Sequence, residues 1–208
     1  ALWLEIIARG RAAHGSMPDL GVNAIEHLAR AILALRTEDL PHHEHLLLGR
    51  PTLNVGTIRG GSKTNMVADS CAVTVDIRTV PGQDHEAIVA QVSHLLDRIG
   101  AAGPECPTEI RVLNDAPPIE TDAEDAFVRD VVRAVGDATG RRPTPGGVMY
   151  YTDAAALVPA LGVPMAICGP GRRELAHQVD EYVEIDKLIE AVEIYRRLIE
   201  MRLRGSHG

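Results

Sequence analysis

The sequence predicts a mixed α/β protein with an α+β first domain over residues 1–115 and part of an α/β domain over residues 116–208. Three observations predict this class. The first half alternates four β-prone segments with two amphipathic helical segments, in the β-α-β-β-α-β order of ferredoxin-like domains. The second half alternates short apolar runs with helical segments, as α/β layers do. The length of 208 residues is enough for one large domain or two small ones.

Four β-prone segments predict the strands of the first domain. They are ALWLEIIARG, TLNVGTI, CAVTVDIR and TEIRVL, which begin at positions 1, 52, 71 and 108. The third segment alternates strictly. Val73 and Val75 therefore face one side of the sheet, while Asp76 and Arg78 face the other side.

Two amphipathic segments predict helices that cover one face of this antiparallel sheet. Asn23 is the expected N-cap of the first helix, because its side chain can accept backbone hydrogen bonds at a helix start. The apolar stripes have the spacing of three or four residues that helices require. The first stripe comprises Ile25, Leu28, Ile32 and Leu35, and the second comprises Ile88, Val92, Leu95 and Ile99.

Residues 116–208 predict an α/β layer with too few strands. One helix should begin at Thr121 or Asp122 and end at Gly140. A last helix over 185–203 should turn one apolar stripe inward, which comprises Leu188, Val192, Tyr195 and Ile199. VMYYTDAAALV should run from a short strand into a helix, and VPMAIC should be an all-apolar strand. Such a strand needs paired neighbours and cover on both faces. The second half therefore either borrows a sheet or is a piece of a longer polypeptide.

The composition excludes several classes of protein. The formal net charge of −8 excludes a nucleic-acid binder that depends on a basic surface. No apolar run approaches the roughly 18 to 20 residues of a membrane span, and nothing resembles a signal peptide. Cys71, Cys106 and Cys168 have no paired spacing, which predicts reduced thiols in an intracellular, cytoplasmic protein.

Loop histidines are the first candidates for chemistry. His177 follows a Gly-Pro-Gly turn at the end of an apolar run, where α/β proteins place ligand sites, and imidazole is a common zinc ligand. One histidine does not make a metal site, because zinc takes three or four protein ligands. His14, in GRAAHGSMP, either caps backbone groups of a turn or donates to a developing negative charge. HHEH at positions 42–45 is interpreted as a solvated loop.

Further polar positions each have two interpretations. Asn65, in GGSKTNMV, is a turn residue or an amide donor to a substrate oxygen. Arg78 forms a surface ion pair with Asp76 or offers a bidentate fork to a carboxylate. Thr152 and Asp153 lie at the start of a predicted helix, either as N-caps or as site residues.

Four ordered motifs resemble the M20 metallopeptidases and deacylases, a group that includes acetylornithine deacetylase, succinyl-diaminopimelate desuccinylase, aminoacylase and glutamate carboxypeptidase. The motifs are GRAAHGSMPDLGVNAI, GGSKTNMVADSCAVTVDIR, YYTDAAAL and GPGRRELAHQVDEYVEI. The resemblance implies an α/β catalytic domain with two zinc ions, or cobalt or manganese in their place. It also implies an inserted ferredoxin-like lid that forms a homodimer. In such enzymes a metal-activated water attacks an amide carbonyl.

The resemblance also implies a role for each candidate residue. His177 is similar to the last zinc ligand, and His14 to the lid histidine that stabilises the oxyanion in the partner's site. The implied substrate-binding residues are Asn65, Arg78 for a carboxylate, Thr152, Asp153 and Gly169. By the same resemblance, the other zinc ligands and the general base belong to a first half of the catalytic domain that precedes Ala1.

Two functions are compatible with these observations. The first is an amide hydrolase that releases an amino acid from an N-acyl amino acid or small peptide, with residues 1–115 as lid and 116–208 as the C-terminal part of the catalytic domain. In that case the chain alone is expected to be inactive and to hold zinc weakly or not at all. The alternative is a non-catalytic dimerising or small-molecule-binding protein built on the ferredoxin-like domain. Neither function involves nucleic acid or a membrane.

Overall fold

The computed structural model describes residues 1–37 and 44–205. The elements are β1 (Leu2–Arg9), α1 (Ala24–Thr37), β2 (Thr52–Gly60), β3 (Ser70–Arg78), α2 (His85–Ala101), β4 (Thr108–Asp115), α3 (Ala126–Thr139), α4 (Ala154–Leu161) and α5 (Ile185–Gly205), with short 3-10 turns at Pro18–Leu20 and Arg173–Leu175. The chain divides into two compact units. The first unit is Ala1–Ile119 with Val148–Ala155, and the second is Glu120–Gly147 with Ala156–Gly208.

The sheet of the first unit confirms the predicted β-α-β-β-α-β fold. The strand order is β2-β3-β1-β4, and every neighbouring pair is antiparallel. Helices α1 and α2 pack together on one face and form a single core with β1 and β3. Apolar residues at alternate positions of β1 and β3 point into this core and are almost completely buried: Leu2, Leu4, Ile6, Val73, Val75 and Ile77. Helices α1 and α2 do not cover the opposite face of the sheet, which is called the open face below.

Both helices of this unit begin where side chains cap them. The Asn23 Oδ1 accepts the backbone N–H of Ile25 at 3.0 Å, which confirms the predicted cap of α1. Asp84 caps α2 by accepting the backbone N–H of Glu86 at 2.9 Å. Most of the two predicted stripes are buried, including Leu28, Leu35, Ile88, Val92 and Leu95.

The second unit is built from helices and irregular segments. Helix α3 packs against α5 and ends at Gly140, whose left-handed φ of 70° confirms the predicted C-cap. The predicted start of α3 is wrong, because Asp125 is the N-cap and accepts the backbone N–H of Phe127 at 2.7 Å. Asp122 instead closes the preceding turn by accepting the backbone N–H of Glu124 at 2.8 Å.

The strands predicted for the second half are wrong as well. Residues 148–151 and 163–168 are irregular, and among the described residues of the second half no segment is a β-strand. Extended chain becomes a strand only when its backbone pairs with a neighbour. The described residues provide no neighbouring strand for VPMAIC, so its backbone lacks the strand pairing that an all-apolar strand requires.

The predicted inward stripe of α5 points outward. Leu188, Val192 and Ile199 are 49%, 63% and 58% exposed. Ala191 and Ile194 are instead the buried residues of this helix, on the part of α5 that packs with α3. Helix α5 does have the predicted apolar stripe at helical spacing. It also has a second apolar side, and the described residues cover only that second side.

The structure describes the state of the cysteines and the character of the helices. The three cysteines are free, with Cys71 and Cys106 buried and Cys168 partly buried, and burial raises the pKa of each thiol. Among the residues that the structure describes, none of the helices is both long enough and apolar enough to cross a membrane.

A buried histidine makes the stability of the first unit depend on pH. His27 of α1 is 1% exposed, and its Nε2 has no hydrogen-bond partner. Burial, and to a smaller extent the Arg30 guanidinium, lower the pKa of His27 in the folded protein. In the unfolded chain a histidine titrates near about 6.5. Below that pH the unfolded state binds the proton more readily, so the free energy of unfolding falls as the pH drops towards the folded pKa.

We expect His27→Leu to flatten this dependence. Urea unfolding at pH 7.5 and at pH 5.5 should show a larger loss of stability for the wild type than for the variant. One proton contributes at most about 1.4 kcal/mol per pH unit, which bounds the difference. His94→Leu is the matched control, because it removes an exposed histidine from α2 and should keep the wild-type dependence. Equal slopes for His27→Leu and the wild type would contradict the assignment.

Candidate functional site

Two loops at one end of the sheet bring His14 and Asn65 together. The backbone N–H of Gly15 donates to the Asn65 carbonyl at 2.8 Å, and His14 pairs with Met66 in an isolated antiparallel bridge. The approach is close, because a Cβ at position 15 would lie 3.1 Å from the Asn65 carbonyl oxygen, so a larger residue there would require a small shift of the loop. Both His14 and Asn65 are exposed. Two of the residues predicted from separate motifs therefore share one edge of the first unit.

Hydrogen bonds to Ser16 determine which nitrogen of His14 can donate. The His14 Nδ1 accepts the backbone N–H of Ser16 at 3.2 Å and lies 2.7 Å from the Ser16 Oγ. A ring nitrogen that accepts a backbone N–H carries no proton, so the proton of the neutral ring is on Nε2. Nε2 is thus the donor of an exposed side chain. This is the chemistry that stabilisation of an oxyanion requires.

Arg78 lies at the opposite end of β3 from these loops. Eight residue steps separate Ser70 from Arg78, which corresponds to about 26 Å along a strand. Asn65 belongs to the loop that joins β2 to the Ser70 end of β3. Within one chain, a ligand of amino-acid size cannot contact both Arg78 and the pair formed by His14 and Asn65.

The guanidinium of Arg78 is already held by Asp76. Its Nε and Nη2 both donate to Asp76 Oδ2, at 3.2 Å and 2.8 Å. Each of the two side chains is 29% exposed. The structure therefore contains the ion pair that the sequence suggested, and it leaves the Nη1 end of the guanidinium for a ligand.

The segment with Thr152 and Asp153 belongs to the first unit. Tyr151 contacts Trp3 edge to face, with ring centroids 6.2 Å apart. Trp3 is opposite Asp76 in the β1–β3 pair, so this segment lies near the Arg78 end of the open face. The Thr152 Oγ1 accepts the backbone N–H of Ala154 at 3.2 Å, which is an N-cap contact for α4.

His177 and Gly169 lie in the second unit. His177 is exposed and has a left-handed φ of 64°, and Asp180 has a φ of 67°. The backbone N–H of His177 donates to Glu181 Oε2 at 3.0 Å. Left-handed residues other than glycine are uncommon, and strained backbone clusters at functional sites. Gly169 follows Cys168, whose carbonyl accepts the Tyr195 hydroxyl at 2.6 Å, so α5 anchors the start of this loop.

The described residues do not form a metal site by themselves. Over residues 1–37 and 44–205, no three His, Cys, Asp or Glu side chains are grouped so that they could hold a metal ion. His177 offers one ring nitrogen, whereas zinc takes three or four protein ligands. His42 and His43 of the HHEH stretch lie outside the described residues.

Sequence reasoning missed two features of the first unit. The first is the contact of Trp3 with Tyr151, for which the signal was a large aromatic residue at a position of β1 that alternates with the core residues. The second is a network in which the His85 Nδ1 lies 2.6 Å from Asp115 Oδ1 and the Nε2 lies 2.9 Å from Thr79 Oγ1. Thr79 and His85 are six positions apart, whereas Asp115 follows His85 by 30 positions, so no local spacing indicates the network.

Comparison with known proteins gives the family. The M20 family described as "Peptidase dimerisation domain" matches residues 1–104, which is half of the chain. Acetylornithine deacetylase of Myxococcus xanthus is 30% identical over 205 residues, covering 94% of this chain and 51% of that protein. A peptidase M20 domain-containing protein of Schizosaccharomyces pombe is 31% identical over 203 residues, covering 96% of this chain and 43% of that protein.

Solved structures show the same fold. Aminopeptidase PepT from Bacillus cereus superposes with a TM-score of 0.74 at 25% identity, covering 96% of this chain and 51% of that one. A tripeptidase from Staphylococcus aureus gives a TM-score of 0.76 at 24% identity, covering 98% and 52%. The first unit thus has the fold of a peptidase dimerisation domain. The chain belongs to the M20 family of metallopeptidases and deacylases. It spans about half the length of the curated relatives it matches.

Proposed function

We propose that this chain is part of a metal-dependent amide hydrolase that releases an amino acid from an N-acyl amino acid or small peptide. Residues 1–115 form its lid and dimerisation domain, and residues 116–208 form the C-terminal part of its catalytic domain. Membership of the M20 family supports this function. So does the presence of a deacetylase and an aminopeptidase among the relatives.

The observation that carries the proposal is the separation of two sets of candidate residues on one sheet. His14 and Asn65 belong to loops next to the Ser70 end of β3, which lies about 26 Å along the strand from Arg78, whereas an extended dipeptide spans only about 7 Å. The two sets therefore serve two different substrate sites. In a homodimer, His14 and Asn65 of one lid complete the partner's site, while Arg78 acts in its own.

Each candidate residue then has a defined task. His14 donates from Nε2 to the carbonyl oxygen of the scissile amide, where negative charge develops. Asn65 donates from its side-chain amide to a substrate oxygen, and Arg78 binds the substrate carboxylate. Thr152, Asp153 and Gly169 line the substrate pocket, and His177 is a metal ligand.

The second unit provides support for a longer polypeptide. Leu188, Val192 and Ile199 expose an apolar side of α5, and the apolar segment at residues 163–168 has no strand partner among the described residues. A further stretch of chain that paired with this segment and covered α5 would complete the α/β domain. It would also have to supply the remaining metal ligands, because His177 alone cannot hold zinc, cobalt or manganese tightly.

The test of the proposed function uses the full-length protein. We expect metal-dependent release of amino acids from a panel of N-acetyl amino acids and dipeptides. Activity should disappear after treatment with a chelator and return when zinc, cobalt or manganese is added. A dimer that neither binds metal nor cleaves any member of the panel would support the alternative, a non-catalytic protein built on the ferredoxin-like domain.

We expect the 208-residue chain alone to be inactive towards the same panel and to bind zinc weakly, since the described residues offer one candidate ligand instead of the three or four that zinc takes. Calorimetric titration with zinc and an assay of amino-acid release check this. The matched variant His177→Asn should bind still less zinc. Tight stoichiometric zinc together with turnover in the 208-residue chain would contradict the proposal that it is only part of the site.

A further inference from the structure

The open face of the first unit carries a polar cluster that the fold itself does not require. It consists of Trp3, Asp76, Arg78 and Tyr151. Asp76 uses only Oδ2 to hold the guanidinium of Arg78. The other oxygen, Oδ1, is buried and has no hydrogen-bond partner, and the same is true of the Trp3 Nε1. The two residues are directly opposite each other in the β1–β3 pair.

This arrangement leaves two buried polar atoms of the cluster without a hydrogen bond to any described residue. A buried polar atom without a partner destabilises a protein, and most buried polar atoms in native structures are therefore paired. Some exceptions to this rule in natural proteins lie at functional sites. Here the unpaired Oδ1 of Asp76 lies beside a residue that the proposed function assigns to the substrate carboxylate.

The contact with Asp76 determines which edge of Arg78 can bind a ligand. A guanidinium presents its N–H donors in one planar fork. Asp76 occupies the Nε–H and one N–H of Nη2. The edge formed by Nη1 and the outer N–H of Nη2 remains, and this edge matches a carboxylate in a bidentate pair. Arg78 is held with this edge pointing away from Asp76.

We propose that Asp76 is the positioning residue of the carboxylate site, holding the guanidinium of Arg78 so that its Nη1–Nη2 edge meets a free carboxylate of the substrate. The inference rests on the proposed function in one respect, namely that Arg78 binds substrate. Without Asp76 the long side chain of Arg78 has many rotamers and must lose that freedom on binding. The site therefore selects substrates with a free carboxylate over the corresponding amides.

Kinetics of the full-length protein test this inference. Asp76→Ala should raise KM about 10-fold or more, the scale of a hydrogen bond to a charged group, with kcat and metal content close to wild type. Arg78→Ala should raise KM at least as much. Because Asp76 acts through Arg78, the double variant should be no worse than Arg78→Ala alone. Thr74→Val is the matched control on the same face of β3, and it should leave KM unchanged.

The outcomes separate the inference from the proposed function. If Arg78→Ala leaves KM unchanged, the assignment of Arg78 to the substrate fails. If Arg78→Ala raises KM but Asp76→Ala does not, the assignment of Arg78 stands and the positioning role of Asp76 is overturned. Additive effects in the double variant would also overturn it, since a residue that merely stabilises the sheet contributes independently of Arg78.

A second readout does not depend on activity. Trp3 is the single tryptophan of the 208 residues, so its fluorescence reports on the neighbourhood of Asp76. N-acetylglycine should change the tryptophan emission of the wild-type 208-residue chain, and N-acetylglycinamide at the same concentration should not. Asp76→Ala and Arg78→Ala should each weaken the response to N-acetylglycine. An equal response to the amide, or a response that Asp76→Ala leaves unchanged, would overturn the proposal.

Discussion

Replacement of His177 by alanine in the full-length protein is expected to remove most of the metal from one metal position and to lower turnover severely. Loss of a ligand or of its orienting partners typically costs at least about 10- to 100-fold in affinity or activity. His177 is exposed, and its backbone has a left-handed conformation. Metal content after gel filtration and kcat are the quantities to measure.

The left-handed backbone of His177 makes a second variant at this position necessary. Alanine at φ 64° is strained, so His177→Ala alone could act through the loop and not through a lost ligand. Asparagine tolerates this conformation but has no imidazole. His177→Asn should therefore lose metal as His177→Ala does. Asp180→Asn, at the other left-handed residue of the loop, is the matched control and should keep its metal. Normal metal content in His177→Asn would show that His177 serves only the loop.

Replacement of His14 by alanine is expected to lower kcat by about 10²- to 10³-fold, the usual effect of removing one oxyanion donor. Metal content should stay unchanged, because His14 lies on the lid and is not proposed as a ligand. Ser16→Ala removes the hydroxyl beside Nδ1 but keeps the backbone N–H that binds this nitrogen, so its effect should be much smaller. An unchanged kcat in His14→Ala would contradict the donor role.

Mixing two inactive variants tests whether His14 acts across the dimer. One full-length protein carries His14→Ala and the other His177→Ala, and they are combined in equal amounts under conditions that exchange subunits. If His14 acts in the partner's site, the His177→Ala subunit lends its intact His14 to the intact metal position of the other subunit. Each heterodimer then has one complete site, which corresponds to about a quarter of wild-type activity at full exchange.

Absence of recovered activity in the mixture would indicate that His14 does not act in the partner's site. If His14 served its own subunit, one subunit of the heterodimer would lack His14 and the other would lack His177, so no site would be complete. Absence of recovery, with heterodimers demonstrated by mass spectrometry of differently tagged subunits, would contradict the assignment.

The local sequence by itself determined the strands and helices of the first unit and the end of one helix in the second unit. Strict alternation predicted β3, and the burial of Val73 and Val75 confirms it. The side chain of Asn23 predicted the start of α1, and Gly140 predicted the end of α3. These predictions succeed because alternation, helical spacing and caps depend on residues a few positions apart.

Only the tertiary structure decided which candidate residues meet. His14 and Asn65 come from separate motifs, and the backbone hydrogen bond from Gly15 to Asn65 joins their loops. The loop of Asn65 precedes β3, and Arg78 is the last residue of that strand. Tyr151 contacts Trp3, although the two residues lie in different halves of the sequence. The exposed apolar stripe of α5 and the unpaired segment at residues 163–168 also could not be predicted from local sequence. Periodicity tells which residues share a face, but what covers that face, and which strand pairs with which, depends on groups distant in the chain.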